Sequence, residues 1–293
     1  MHAITKILAN VTKFNFGAGK TEKAMKLVSI SGKTLKHGSG LAALMLAFTM
    51  TASGVQSARA ADDATRILKG MSDYLASQKS INVSYDTDVE VITSDLQKIQ
   101  FASSGHLLMV RPDKLHVSRV GGYDDVDMNF DGKTTTVLDH DHNEYTEISS
   151  AGTVEQLVER MRDEFQLPVP GADLLLATSF DRLMDGVIDS RHIGLGVIDG
   201  VECEHLAFRN VDTDWQLWVE TGAHPVPHKY VITNKGVTGS PQYTLHITHM
   251  ETDGPIAADA FVFTAPAGAK KEEMKDLHDI DEVPSGVAPG GSK

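Results

Sequence analysis

The sequence has one cysteine and two tryptophans in 293 residues. A single thiol closes no intramolecular disulfide, and it excludes a cysteine-built zinc site or iron–sulfur cage. Aromatic residues make up only 6%, yet 41% of the chain is hydrophobic, which rules out a wholly disordered or collagen-like protein. The apolar run Leu41–Val55 (LAALMLAFTMTASGV) falls short of the roughly 20 residues that a membrane-spanning helix needs.

Catalytic signatures are missing too. Past residue 60 there is no G-x-S-x-G, and H-E-x-x-H is absent. Gly132-Lys133-Thr134 lacks the upstream glycine of a phosphate-binding loop, because position 127 is aspartate. Triads are spatial, so an enzyme is not excluded, but no catalytic residue, cofactor or metal is assigned.

Acidic residues are nearly absent from the first 60 positions, where Lys6, Lys13, Lys20, Lys23, Lys26, Lys33, Lys36 and Arg59 face only Glu22. The remainder is strongly acidic. A basic leader, a short apolar run and Ala58-Arg59-Ala60 read as a signal peptide cleaved after Ala60, with an uncleaved anchor as the alternative. Met25 opens a more ordinary signal and is a candidate true start. The expected location is the periplasm, with no stable membrane insertion of the mature chain. Its negative charge argues against binding nucleic acid or anionic lipid headgroups.

The expected organisation is a signal peptide over 1–60, one domain over 61–265 and a disordered tail over 266–293, rich in Lys, acid, Gly and Pro. The domain opens with a helix, since Ala64, Ile67, Leu68, Met71, Tyr74 and Leu75 share one stripe. The period then becomes two. Ile81, Val83, Tyr85, Val89 and Val91 alternate with Asn82, Ser84, Asp86, Asp88 and Glu90, as in a half-buried strand. Alternation recurs at Ile99–Met109, Leu115–Val117 and Val126–Phe130. It resumes at 188–198, 201–210, 214–220, 228–234 and 241–252. Asp131-Gly132 and Asp199-Gly200 mark hairpins. Thr153 and Gln156 form a capping box for one helix, and 172–185 reads as a second, stopped by Gly186. The predicted fold class is α+β: a curved antiparallel sheet of about ten strands, an unclosed β-barrel, with helices on its concave face.

Several polar groups have both a chemical and a plain reading. Asp127-x-Asn129-x-Asp131-Gly132 begins like a calcium loop, but Leu138 stands where the bidentate glutamate belongs, so a turn is expected. His140 and His142, with neighbouring carboxylates, suit either a solvated turn or a metal. His246 and His249, three apart on one strand, are expected on opposite faces. Cys203 lies between Glu202 and Glu204, which oppose a thiolate, so a buried inert thiol is expected.

The segments Val201–Arg209 (VECEHLAFR), Asp214–Glu220 (DWQLWVE), Pro227–Thr233 (PHKYVIT) and Pro241-Gln242-Tyr243 resemble a family of predicted periplasmic proteins. That family is grouped with the LolA-like and LolB-like lipoprotein-localisation-factor superfamily. Met109–Leu115 (MVRPDKL) looks like the Arg-Pro strand junction of those carriers, and Phe261-Val262-Phe263 with Pro266–Lys270 fits as well. The resemblance implies an unclosed barrel with helices as a lid over a hydrophobic cavity, which in the carriers holds lipoprotein acyl chains. His116 stands where many carriers have a basic residue after Arg-Pro, so apolar-chain binding is taken as the inference rather than lipoprotein transfer.

The leading expectation is a periplasmic carrier for a lipid, lipoprotein acyl chain or other elongated apolar ligand. The candidate cavity residues on strands are Val83, Tyr85, Val89, Phe101, Leu107, Met109, Val117, Met128, Trp215, Leu217, Leu245 and Ile247. Leu175, Leu176, Phe180 and Met184 come from the lid helix. An envelope sensory or scaffold module binding a protein partner is the alternative. A metal-dependent hydrolase built on His140 and His142 is the third reading.

Overall fold

The computed structural model describes residues 52–165, 169–274, 280–284 and 286–287. Met25 and the apolar run up to residue 51 lie outside them. Helix α1, Ala52–Ser77, begins upstream of the cleavage position expected after Ala60. Its stripe of Ala64, Leu68, Met71 and Leu75 is completely buried. No helix among the described residues is long and apolar enough to cross a membrane.

Six strands follow: β1 (Ser80–Ile92), β2 (Lys98–Val110), β3 (Lys114–Gly121), β4 (Asp125–Phe130), β5 (Thr134–Asp139) and β6 (Glu144–Ser149). Helix α2 (Val154–Asp163), a 3-10 turn (Ala172–Leu175) and helix α3 (Ser179–Met184) interrupt them. The strands resume as β7 (Asp189–Ile198), β8 (Val201–Arg209), β9 (Thr213–Glu220), β10 (Pro227–Asn234) and β11 (Gln242–Thr252). A second 3-10 turn (Ala258–Phe261) and the short β12 (Lys270–Lys271) end the series.

All twelve strands form one unclosed, curved sheet in the order β12-β6-β5-β4-β3-β2-β1-β11-β10-β9-β8-β7. The two blocks join in the middle, where β1 pairs with both β2 and β11. Every pairing is antiparallel except that of β12, which runs parallel to β6. About ten strands were expected; the structure adds β5, β6 and β12. The first two contain TTTVLD and EYTEIS, where threonine holds the strand but blurs the apolar alternation.

The capping box at α2 forms as its residues predict: Thr153 Oγ1 accepts from the Gln156 amide, and the Gln156 side chain accepts from the Thr153 amide. The single helix expected over 172–185 is instead two pieces. Leu176 is extended, with φ −71° and ψ 151°, between the 3-10 turn and α3. This break lets Leu174, Leu176 and Leu183 all bury. The freed carbonyl of Leu175 accepts from Arg111.

Part of the segment expected as a disordered tail is structured. Lys270 and Lys271 pair with Glu144 and Tyr145 at the β6 edge. Val283 joins the main apolar core.

Candidate ligand-binding face

Alternation and register divide the sheet into an inner face, under the helices, and an outer one. One inner rung crosses six strands: Phe208, Trp215, Ile232, Tyr243, Val89 and Phe101. All six are buried, and the Phe208 and Trp215 rings stack with centroids 3.9 Å apart. The next rung runs Leu206, Leu217, Tyr230 and Leu245, then changes character at Thr87 and Ser103. A third carries Tyr85, Gly105, Arg119 and Val126, and a fourth Val83, Leu107, Val117, Met128 and Val137.

These rungs place the expected cavity residues in two groups. Val83, Val89, Phe101, Met109, Leu176, Trp215, Leu217, Leu245 and Ile247 are buried. Tyr85, Leu107, Val117, Met128, Leu175, Phe180 and Met184 are only partly buried and pack against that core. Helix α1 lies over β7, β8 and β9, so that half of the face is filled. Leu107, Val117 and Met128 face one another on the half-buried stretch across β2, β3 and β4. The surface also has two open depressions, of about 480 and 370 Å³. They are lined around Lys79 and Asp253 and around Gln156 and Glu164, and contain none of the expected lining residues.

A polar cluster that sequence reasoning missed sits between the apolar rungs. The Thr87 and Ser103 hydroxyls are 2.7 Å apart, and both residues are buried. Both donate to Glu282 Oε1, each at 2.5 Å. Arg119 donates to Asp124 Oδ2 through Nε at 2.7 Å and to the Ile280 carbonyl through Nη2 at 2.5 Å. Burial works against the Arg119 charge, but Asp124 and Glu282 together hold its pKa above the usual value. Burial likewise pushes the Tyr85 phenol up to about 12, against the pull of Arg119. The Tyr85 ring lies directly over Gly105, occupying the space where a side chain would project. The weak sequence signals for this cluster are Thr87, Ser103 and Arg119, polar residues at inward positions of otherwise apolar strands.

The polar groups singled out from sequence mostly serve turns and surface pairs. Asp131 Oδ1 accepts from the amides of Lys133 and Thr134, which is the turn rather than a calcium site. His140 contacts Asp127 at 2.9 Å and His142 contacts Asp139 at 2.8 Å, so the two imidazoles are taken up separately. Among the described residues no group of three His, Cys, Asp or Glu is arranged to hold a metal ion. His246 and His249 do not face opposite ways as expected. The register shift against β1 sets them opposite Asp86 and Ser84, which share the outer face. An extra residue in one strand reverses the alternation beyond it. Cys203 is fully buried, and burial, with Glu220 and Glu202, pushes its thiol up to about 11.

Comparison with solved structures finds distant likenesses. An uncharacterized conserved protein from Thermus thermophilus is 10% identical at a TM-score of 0.41, over 72% of this chain and 99% of that one. MucB, in the MucA/MucB complex of Pseudomonas aeruginosa, is 13% identical at 0.42, over 69% of this chain and 62% of that one. The Mycobacterium tuberculosis lipoprotein LppX is 13% identical at 0.36, over 68% and 99%. No match was found among curated proteins. The match to a family model is more specific: over residues 64–274 the chain belongs to the family described as predicted periplasmic protein (DUF2092).

Proposed function

We propose that this protein is a periplasmic carrier that holds an elongated apolar ligand against the inner face of its sheet. The observation that carries the reading is the half-buried apolar rung Leu107, Val117 and Met128 beside a helix-covered half that is fully packed. A sheet face that is apolar but only partly covered gives an acyl chain somewhere to lie. Burial of each methylene there is worth about 0.8 kcal/mol, so a chain of about a dozen binds with few polar contacts. Helix α3 and the broken segment before it, held by the Arg111 bond to the Leu175 carbonyl and by burial of Leu176, pack against α1 and serve as the cover in this reading. Export rests on the basic leader and the small residues at 58 and 60, with cleavage after Ala60.

Native mass spectrometry of the protein purified from a periplasm without detergent, followed by organic extraction, tests this. A discrete added mass that extracts as a lipid is the expected result. A bare mass with a lipid-free extract overturns the reading and favours the protein-binding alternative. Sequencing the N-terminus of the same sample checks the cleavage site, which should leave Ala61 first.

A further inference from the structure

The polar cluster on the inner face has the composition of a seat for a carboxylate. Thr87 and Ser103 are directly opposite one another on β1 and β2, and their buried hydroxyls converge on one point. Burying two hydroxyls on an apolar face is unfavourable unless something polar meets them. Arg119, one rung away, adds a guanidinium whose far side is fixed by Asp124. The group that meets them is the Glu282 carboxylate, which accepts from both hydroxyls.

Glu282 arrives on a short stretch from near the C-terminus. Ile280 is anchored through its carbonyl to Arg119, Val283 is buried in the main core, and Val287 packs against it. The stretch thus brings the Glu282 carboxylate and the aliphatic side chains of Val283 and Val287 to the sheet. That is the chemistry of an aliphatic acid, supplied by the protein's own chain. The apolar rung at Leu107, Val117 and Met128 lies two rungs from Ser103 on the same face, within reach of a hydrocarbon chain whose head sits in the seat.

We propose that Thr87, Ser103 and Arg119 form the head-group end of the ligand site, that this end takes the free carboxylate of a long-chain aliphatic acid, and that the segment around Glu282 occupies it until ligand displaces it. The inference rests on the carrier reading above. An occupant on the same chain acts at an effective concentration of order millimolar, so it weakens an external ligand that needs the seat without forming part of that ligand's own contacts.

The test uses the full chain and two probes, palmitic acid and its methyl ester. Hydrogen exchange on the unmodified protein follows residues 280–287, and calorimetry compares it with Glu282→Ala. Palmitic acid is expected to strip the protection of 280–287. Glu282→Ala should bind the acid at least tenfold more tightly and gain less than threefold for the ester. Thr87→Val with Ser103→Ala should cost the acid at least tenfold and leave the ester unchanged. Equal acid affinity with and without Glu282, and unchanged protection of the tail, overturns the proposal and leaves the carrier reading intact. Equal gains for acid and ester overturn the carboxylate seat. Failure of every form of the protein to bind either probe overturns both readings.

Discussion

Arg111 places its Nη2 2.5 Å from the carbonyl oxygen of Leu175, joining the end of β2 to the break between the 3-10 turn and α3. The same guanidinium donates to the carbonyls of Gln78 and Leu75 at 3.2 and 3.4 Å and to the Glu155 carboxylate at 3.2 Å. One side chain therefore ties the C-terminus of α1, the start of α2 and the last residue of the 3-10 turn before α3 to the sheet. Its planar fork serves these acceptors from one position, which an ammonium on a flexible stem does not. Arg111→Ala should destabilise the fold by about 3 kcal/mol, since it removes the cation beside a partly buried carboxylate and one donor from each of three carbonyls. Arg111→Lys should recover less than half of that. Urea unfolding measures both, and full rescue by lysine would show that charge alone matters.

Gly105 and Tyr85 form a second coupled pair. A methyl group at 105 would meet the Tyr85 ring, so Gly105→Ala should cost roughly 1–3 kcal/mol. In a Tyr85→Ala background the same change should cost little. The double-mutant cycle reads the coupling directly, and additive effects would disprove it.

The outer face carries a pH-dependent contribution. Contact with His116 holds Asp127 below its ordinary carboxylate range against the opposing effect of burial, and His140 helps. Contact with Asp127 in turn raises His116 above its ordinary value, again against burial. The separation of 3.8 Å between His116 Nε2 and Asp127 Oδ1 makes this an ion pair rather than a direct hydrogen bond. A depressed carboxylate stabilises the fold above its unfolded pKa of 3.8 and loses that effect as pH falls through the folded value. A raised imidazole stabilises below its unfolded pKa of 6.5 and loses the effect as pH rises through the folded value. The pair therefore contributes most near pH 5. Asp127→Asn should cost about 1 kcal/mol there and less at pH 8.5, and should lower the His116 midpoint seen by NMR. An equal loss at both pH values would refute the pairing.

Cys203 should behave as a core residue. With its thiol pushed up to about 11 and no exposed surface, it should not react with a disulfide reagent at pH 8 in the native state. One equivalent per chain should react in urea. Rapid native labelling would show that β8 opens locally.

Much of this architecture is legible in the residues. Val83, Val89 and Val91 announce β1 by alternation alone, Thr153 with Gln156 marks the start of α2, and Asp199-Gly200 turns β7 into β8 with both residues at positive φ. What escapes is set by pairing rather than by local pattern. His246 and His249 share a face because β11 takes its register from β1, which no window within β11 reveals. The helical path breaks after Leu175 because Arg111, 64 residues earlier, supplies a donor for its carbonyl. Glu282 lies in a stretch whose composition looks solvated, and its contacts with Thr87 and Ser103 are made across the sheet, beyond any local pattern. Inward-facing polar residues such as Thr87, Ser103 and Arg119 on otherwise apolar strands are the sequence cue to such a partner.

The two ends of the sheet differ in what they offer to another strand. At one end β12 is two lysines long, a short charged border that discourages further pairing. At the other, β7 runs for ten residues and exposes Ile193, Leu195 and Val197. Edge-to-edge growth needs two usable borders on every molecule, and among the described residues β7 is the longer terminal strand. Association through β7 consumes it in both partners, so light scattering on concentrated protein should level off at a pair, whereas continued growth would mean that the lysine border is no barrier. On this strand order, self-assembly through the sheet is expected to stop at a closed step rather than to polymerise through the backbone.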